Sequence, residues 1–418
     1  MSKQPLSRPS PVLHAATNPF RCGAARVLLA IASAVVIFVV STGWFVYRDL
    51  TSTVKGNVID VSGLGSQSDE EKERLPTDQF EGNALNILVV GVDSREGPQN
   101  AEYGSTDDVG GMRGDTTMLM HISADRSRLQ IVSIPRDLMT EIPSCIRSDG
   151  SVSEAQYAMF NSAMPLGTNN GYDVASGIAC TKATTEKLTG LTIDGFVVVD
   201  FSGFKSMIDA LGGVWFNLDE AGYDEDAGLD LPAGCQKLDG TNALAYARAR
   251  YNLGDGSDIS RIGRQQQLVS AILREALSKN YVTDLPALLS FLKQALSSVS
   301  TSANLSDLNA DAGILLSLTT IDRTNIEFVT MPFNYSTTQS GRVLEDETLA
   351  PALWAALAED AALPTGTTLT DGTGAERTIT EPSTPQSGAD LAQSDIDPQT
   401  AAPTPSDTST QTTCPPNN

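Results

Sequence analysis

The sequence predicts a mixed α/β domain whose central sheet is covered by helices, standing behind one N-terminal transmembrane helix. Three observations point there. Between residues 85 and 360, apolar runs of strand length alternate with longer stretches of helical periodicity. Several of those runs are continuously apolar, as strands buried on both faces are. Ahead of them, Val27 to Tyr47 (VLLAIASAVVIFVVSTGWFVY) carries no charge.

The elements follow in chain order. Residues 1–26 hold Lys3, Arg8, Arg21 and Arg26 and no acidic side chain. The apolar segment 27–47, at 1.5 Å per residue, makes a helix of about 31 Å, close to the hydrocarbon thickness of a bilayer. Trp44 and Tyr47 sit at its outer end, where interfacial aromatics belong. A cleaved signal peptide would have a shorter apolar region followed by an A-x-A site. The basic flank puts residues 1–26 in the cytoplasm and everything after Arg48 outside. Residues 48–84 are polar and read as an extracellular linker, with a flexible-coil span of roughly 35 Å. Strands are expected at Leu85–Val92, Met118–Ile122, Leu129–Ile134, Phe196–Phe201 and Ile326–Phe333. Helices are expected over 172–189, 203–211, 241–249, 261–279, 284–298 and 346–359. Residues 361–418, dominated by Thr, Pro and Ser, read as a disordered tail.

Composition narrows the chemistry. Lys and Arg number 28 against 51 Asp and Glu, a net charge of −23, which suits nucleic acid poorly. His14 and His121 are the two histidines, which argues against a multi-His zinc site and a Ser–His–Asp triad. Five cysteines occur without a C-x-x-C. Cys22 falls on the cytoplasmic side and is expected reduced. The four outside cysteines, Cys145, Cys180, Cys235 and Cys414, allow three pairings; Cys145–Cys180 is preferred because both flank one subregion. Catalysis must therefore rest on carboxylates, arginines and a hard metal ion.

Charged clusters mark the strand ends, where open α/β sheets bind ligands. Gly91-Val92-Asp93-Ser94-Arg95 closes the first strand, Arg113-Gly114-Asp115-Thr116-Thr117 opens the second and Ser133-Ile134-Pro135-Arg136-Asp137 closes the third. A fourth runs from Leu238 to Arg250 (LDGTNALAYARAR) and on through Asp258 to Arg261-Ile262-Gly263-Arg264-Gln265. Arg248 and Arg250 share a face only if that stretch is extended. On the helix starting near Arg261, Gln265, Leu268, Val269, Ile272 and Ala276 fall within 80° of Arg261, so Arg261 and Gln265 occupy core-facing positions. Two readings follow: they face an anion at the helix N-terminus, or Arg261 forms an internal salt bridge with Asp115 or Asp258. Several arginines match phosphate oxygens, and carboxylates beside them make sense if they hold Mg²⁺, which takes one or two carboxylates with phosphate oxygens and waters. The pattern reads as Mg²⁺-pyrophosphate binding outside the cell beside the membrane, where lipid-linked pyrophosphates are the natural ligands.

The runs GVDSR, RGDTTM, VSIPRDL, IDGFVVVDFSGF, DALGGV, LDGTNALAYARAR and DGSDISRIGRQQQ resemble the LytR-CpsA-Psr family, strongly over 85–280. The resemblance implies an α/β/α sandwich and a membrane-anchored extracellular phosphotransferase. Its donor would be a glycopolymer on a polyprenyl-pyrophosphate carrier, and its acceptor peptidoglycan, most naturally the 6-hydroxyl of N-acetylmuramic acid. It implies Asp93 and Asp115 as ligands of Mg²⁺, with Mn²⁺ as the alternative. Arg113, Arg136, Arg248, Arg250, Arg261 and Gln265 match the pyrophosphate-contacting positions, and Arg95 and Arg264 are weaker matches. Asp258 would accept the acceptor's proton, with Arg136 and Arg248 as its catalytic partners, while Asp137 orients Arg136. One departure stands out: many members carry Lys-Ile-Asn where this chain has Met159-Phe160-Asn161. Two other functions fit the same site: a polyprenyl-pyrophosphate phosphatase, in which water replaces the glycan, and a non-catalytic lipid-binding regulator of the wall.

Overall fold

The computed structural model describes residues 58–59, 82–93, 112–171, 173–249, 257–278, 299–305, 314, 318, 321–380 and 414. The chain divides into two units, Met1–Ser52 and Thr53–Asn418, and every described residue belongs to the second. The expected transmembrane helix 27–47, the helix 284–298, and Arg95 and Arg250 lie outside the described residues. Among the described residues no helix is long and apolar enough to cross a membrane.

The main sheet contains β1 (Val58–Ile59), β2 (Leu85–Asp93), β3 (Arg113–Ile122), β4 (Leu129–Ile134), β5 (Gly195–Val199), β6 (Val299–Ser302), β7 (Ile326–Thr330), β8 (Thr368–Asp371) and β9 (Glu376–Thr378). Their order is β1-β6-β5-β2-β3-β4-β7-β8-β9. The sheet is mixed: β2 runs parallel to β5 and antiparallel to β3, while β4 runs antiparallel to β3 and parallel to β7. The helices are α1 (Ala163–Thr168), α2 (Val174–Thr189), α3 (Phe201–Ala210), α4 (Gly240–Arg248), α5 (Asp258–Ser278) and α6 (Leu349–Ala358).

Side chains alternate across a strand, and the core divides accordingly. Leu88, Val90 and Val92 pack with Ile178 of α2 and Leu353 and Trp354 of α6. Leu85 and Ile87 point the other way and pack with Ile131, Phe328 and the α5 residues Val269 and Leu273. Helices therefore cover both faces of the sheet, which explains why its strands read as continuous apolar runs. A second core joins Ile208 of α3, Ala245 and Tyr246 of α4 and Leu268 of α5 to the antiparallel pair Val214–Leu218 and Gly234–Leu238.

Three expectations need correction. Phe201 begins a helix instead of ending a strand, because Asp200 caps it: its Oδ1 accepts from the Gly203 N–H at 2.7 Å. Residues 58–59, expected in the linker, pair with β6 at Thr301 and Ser302. The fold also runs past 360 into the expected tail. There β8 pairs antiparallel with β7 (Val329↔Leu369), Leu369 packs in the core and β9 adds a further strand. The preferred bridge Cys145–Cys180 is present, with Cα atoms 5.4 Å apart, and Cys235 pairs with Cys414 across 179 positions.

Candidate active site

The topology sends the C-terminal ends of β2, β4, β5 and β7 to one end of the sheet. This follows from the register: Gly91 pairs with Val199, Thr117 with Ile134 and Thr330 with Ser133. A local irregularity shapes that end. Val92 pairs with Gly114 but Gly91 pairs with Thr116, so Asp115 is the extra residue of a β-bulge. A bulge re-aims the side chain it carries, and Asp115 turns toward the next strand end. There Arg136, two residues beyond β4, places Nη1 3.3 Å from Asp115 Oδ1. Asp93 ends β2 opposite Arg113, which is exposed.

Helix α5 completes the cluster from above. Asp258, in its first turn, holds Oδ1 3.1 Å from Arg136 Nε and forms an ion pair with Arg261. Arg261 also donates Nη2–H to the Asp115 backbone carbonyl at 3.3 Å. The internal salt bridge read for Arg261 is present, with Asp258 as its partner. Asp137 stands behind Arg136, its Oδ2 3.7 Å from Nε. Burial pushes the Asp258 carboxyl above its ordinary value and Asp137 adds to the shift, against the opposing pull of Arg261 and Arg136. Its Oδ2 is buried with no hydrogen-bond partner among the described residues.

Arg248 ends α4, capped at the other end by Asp239, and lies with Cζ 4.7 Å from the centre of the Phe201 ring. The segment beyond α4 is tied to α5. Arg264 donates to the Ala249 carbonyl at 2.6 Å and to Ser260 Oγ at 2.9 Å, and Gln265 donates to the Ala247 carbonyl at 3.2 Å. Arg264 and Gln265 thus hold backbone, Arg264 from a buried position. The structure brings Asp115, Arg136, Asp258 and Arg261 into direct contact. Arg248 and Gln265 are set around them by α4 and α5, with Asp93 and Arg113 at the neighbouring strand ends.

Sequence reasoning missed Gln266. It is buried and donates to Ser133 Oγ at 2.9 Å and Thr330 Oγ1 at 3.3 Å, pinning α5 onto the ends of β4 and β7. At 100° per residue it lies 140° from Arg261, off the apolar stripe, so helical phase could not find it. Phe160 of the departing segment is buried, and the next residue, Asn161, donates its N–H to the Arg136 carbonyl at 3.1 Å. That segment therefore supports the backbone of Arg136.

The LytR_cpsA_psr family model matches residues 55–357. This chain belongs to the LytR-CpsA-Psr family. The matched span starts just before β1, in agreement with a fold that begins ahead of residue 85. Among relatives, the probable cell wall biosynthesis protein LcpB of Corynebacterium glutamicum is 35% identical over 197 residues, covering 46% of this chain and 42% of LcpB. A polyisoprenyl-teichoic acid–peptidoglycan teichoic acid transferase TagU, from Oceanobacillus iheyensis, is 30% identical over 262 residues, covering 62% of this chain and 72% of TagU. The chain spans about half the length of the Corynebacterium relatives it matches. The crystal structure of Bacillus subtilis TagV superposes with a TM-score of 0.51 at 20% identity, over 67% of this chain and 97% of TagV, a likeness of fold.

Proposed function

We propose that this chain is a membrane-anchored, extracellular phosphotransferase that moves a glycopolymer from a polyprenyl-pyrophosphate carrier to peptidoglycan and leaves a phosphodiester link. Residues 27–47 anchor it, with the N-terminus cytoplasmic and the domain facing the wall. Family membership and the transferase activity in TagU's name support the reaction class. The observation that carries the proposal is the contact cluster of Asp115, Arg136, Asp258 and Arg261 at the ligand-binding end of the sheet.

The donor set suits a magnesium ion. Among the described residues no three His, Cys, Asp or Glu side chains gather into a metal cage. Asp93 and Asp115 at adjoining strand ends offer two carboxylates, the number Mg²⁺ takes beside phosphate oxygens and waters. The cluster also needs a cation when phosphate arrives, because its two guanidiniums already face three carboxylates, Asp115, Asp137 and Asp258. When bound, the ion supplies charge neutralisation at the phosphoryl oxygens.

The chain's own residues do the rest. Arg113 and Arg250 are further contacts by the family pattern, while Arg136, Arg248 and Arg261 hold the pyrophosphate. Because their forks are fixed by carboxylates, an aromatic face and backbone, they need little reorganisation as charge builds on the transferred phosphoryl group. Asp258 Oδ2 takes the proton of the attacking glycan hydroxyl, and its raised pKa makes it a stronger base than an ordinary carboxylate. The glycan oxygen bonds to the sugar-side phosphorus, the bridging P–O bond breaks and polyprenyl phosphate leaves. Arg248→Ala tests this: the full-length variant should melt close to the wild type and lose transfer by roughly 100-fold or more. Normal glycopolymer attachment by that variant would overturn the site.

A further inference from the structure

At the end of β3 away from the catalytic cluster, His121 is buried between two acceptors. Its Nδ1 lies 2.8 Å from Asn86 Oδ1 on β2, and its Nε2 lies 3.2 Å from Oδ1 of Asp360, just past the end of α6. Asn86 Nδ2 donates to the Thr192 carbonyl at 3.1 Å, which leaves Oδ1 as the atom facing the ring. Asp360 is also held by the turn between β3 and β4. Its Oδ2 accepts from the Ala124 N–H at 2.8 Å, and Arg128 Nη2 donates to its Oδ1 at 3.0 Å and to its carbonyl at 2.6 Å. These bonds keep its backbone at φ 50°, in the left-handed region that residues other than glycine seldom adopt.

Neither charge state of the ring suits this cluster fully. A neutral imidazole carries a single N–H, so either tautomer satisfies one acceptor and turns a lone pair on the other. An imidazolium satisfies both. It is then the second cation on a carboxylate that Arg128 already pairs, on a side chain only 1% exposed. The neighbouring charges are engaged elsewhere. Asp194, ahead of β5, accepts the Asn86 backbone N–H at 2.9 Å. Gln130, opposite His121 on β4, donates to Glu327, which pairs with Arg377. In the turn, Arg126 donates to the Asn83 and Ser123 carbonyls, and Asp125 accepts from Ser123 and Ser127. Burial, the largest influence, pushes the His121 imidazole below its ordinary value of 6.5; Asp360 opposes that, Arg128 adds to it and Asp194 opposes it.

We propose that this cluster is an acid-released latch: neutral His121 holds Asp360, and with it the end of α6 and the edge strands β8 and β9 that follow, and a proton on the ring lets them go. The geometry decides which side moves. His121 stands on a strand paired on both sides, with β2 and with β4. Asp360 is one-quarter exposed at a helix end, so water comes to Nε2 by displacing its carboxylate. Once released, the ring titrates at its ordinary value, above that of the latched ring, so the released form takes the proton first. The latch therefore contributes fully above pH 6.5 and weakens as the pH falls from there toward the lower value. The device is independent of the reaction assigned above.

Hydrogen–deuterium exchange on the full-length protein tests this at about pH 7.5 and about pH 5.5, with the intrinsic pH dependence of exchange divided out. The Asp360 and Ala361 amides bond the Leu357 and Ala356 carbonyls. These amides and those of β8 should lose protection at the lower pH by up to roughly tenfold, the ceiling for one proton about one unit below 6.5. Helix α2 packs on the same face of the sheet outside the latch and should keep its protection. Asp360→Asn removes the carboxylate at a partly exposed site. Exchange at the α6 end should then be fast already at about pH 7.5 and rise no further. His121→Gln, which carries no titratable ring, should abolish the rise as well. Equal protection of the α6 end at both pH values in the wild type would overturn the proposal. So would a loss of the same size in α2, or a rise that persists in either variant.

Discussion

Arg264→Met isolates the brace that sets Arg248 against the rest of the site. Methionine keeps most of the apolar stem that packs in the interior and removes the fork. Two bonds disappear: Nη2 to the Ala249 carbonyl at 2.6 Å and Nη1 to Ser260 Oγ at 2.9 Å. Ala249 is fully buried, so its carbonyl loses a charge-assisted partner with no water to replace it, at roughly 2–3 kcal/mol. Ser260 is half-buried and regains water, which adds at most about 1 kcal/mol. A loss of roughly 2–4 kcal/mol lowers the melting temperature by roughly 5–15 °C in a domain of this size. Differential scanning calorimetry of the full-length protein measures it, and donor kinetics supply the second readout. Because Ala249 follows Arg248 directly, the KM for the lipid-linked donor should rise while acceptor KM holds. Arg264→Lys should fall in between, since a single ammonium cannot reach both acceptors as a fork does. A melting temperature within about 1 °C of the wild type for Arg264→Met, with unchanged donor KM, would refute the brace.

Other perturbations reach different parts of the account. The Asp258 carboxyl is raised, chiefly by burial, and a base works only when ionised. The acid limb of kcat/KM should therefore lie at higher pH than the ordinary carboxyl value of 3.8, and Asp258→Asn should remove both the limb and most of the rate; a pH profile of each protein checks this. Replacing Cys145 and Cys180 together by serine frees a loop with a sequence separation of 35, worth about 4 kcal/mol by chain entropy, and denaturant unfolding should show a lower midpoint with a somewhat steeper slope, because the uncross-linked denatured chain exposes more surface. Gly240→Ala drives a methyl into the Lys205 backbone where α4 meets α3. It should cost roughly 1–3 kcal/mol and loosen the Arg248–Phe201 stack, both visible as lower thermal stability and weaker donor binding.

The parts of the fold legible in the sequence are those where one physical signal dominates. Strands β2, β3 and β4 are sandwiched between helices, so their apolar runs had no polar alternation to confuse them. Asp115, Arg136 and Arg261 stood out because charge beside a buried strand or on an apolar helix face is costly without a partner, whereas Arg248 and Asp258 were placed by the family resemblance. Which partner was not legible. The pairing of Arg261 with Asp258 depends on the i, i+3 geometry of the first turn of α5, and the approach of Asp115 to Arg136 depends on a bulge that no pattern announces. Strands β8 and β9 escaped because Thr-Leu-Thr-Asp and Glu-Arg-Thr are short and polar at a sheet edge and merge into a Thr-rich composition. Gln266 escaped because α5 is buried on two sides, at the strand ends as well as along its apolar stripe.

The most direct measurement supplies purified full-length protein with a polyprenyl-pyrophosphate-linked oligosaccharide, peptidoglycan and Mg²⁺, and quantifies both products by mass spectrometry. The account predicts polyprenyl phosphate and phosphodiester-linked glycan in equal amounts, formed only when peptidoglycan is present and lost with Arg248→Ala. Release of polyprenyl phosphate at the same rate without peptidoglycan, and with no wall-linked product, would contradict it.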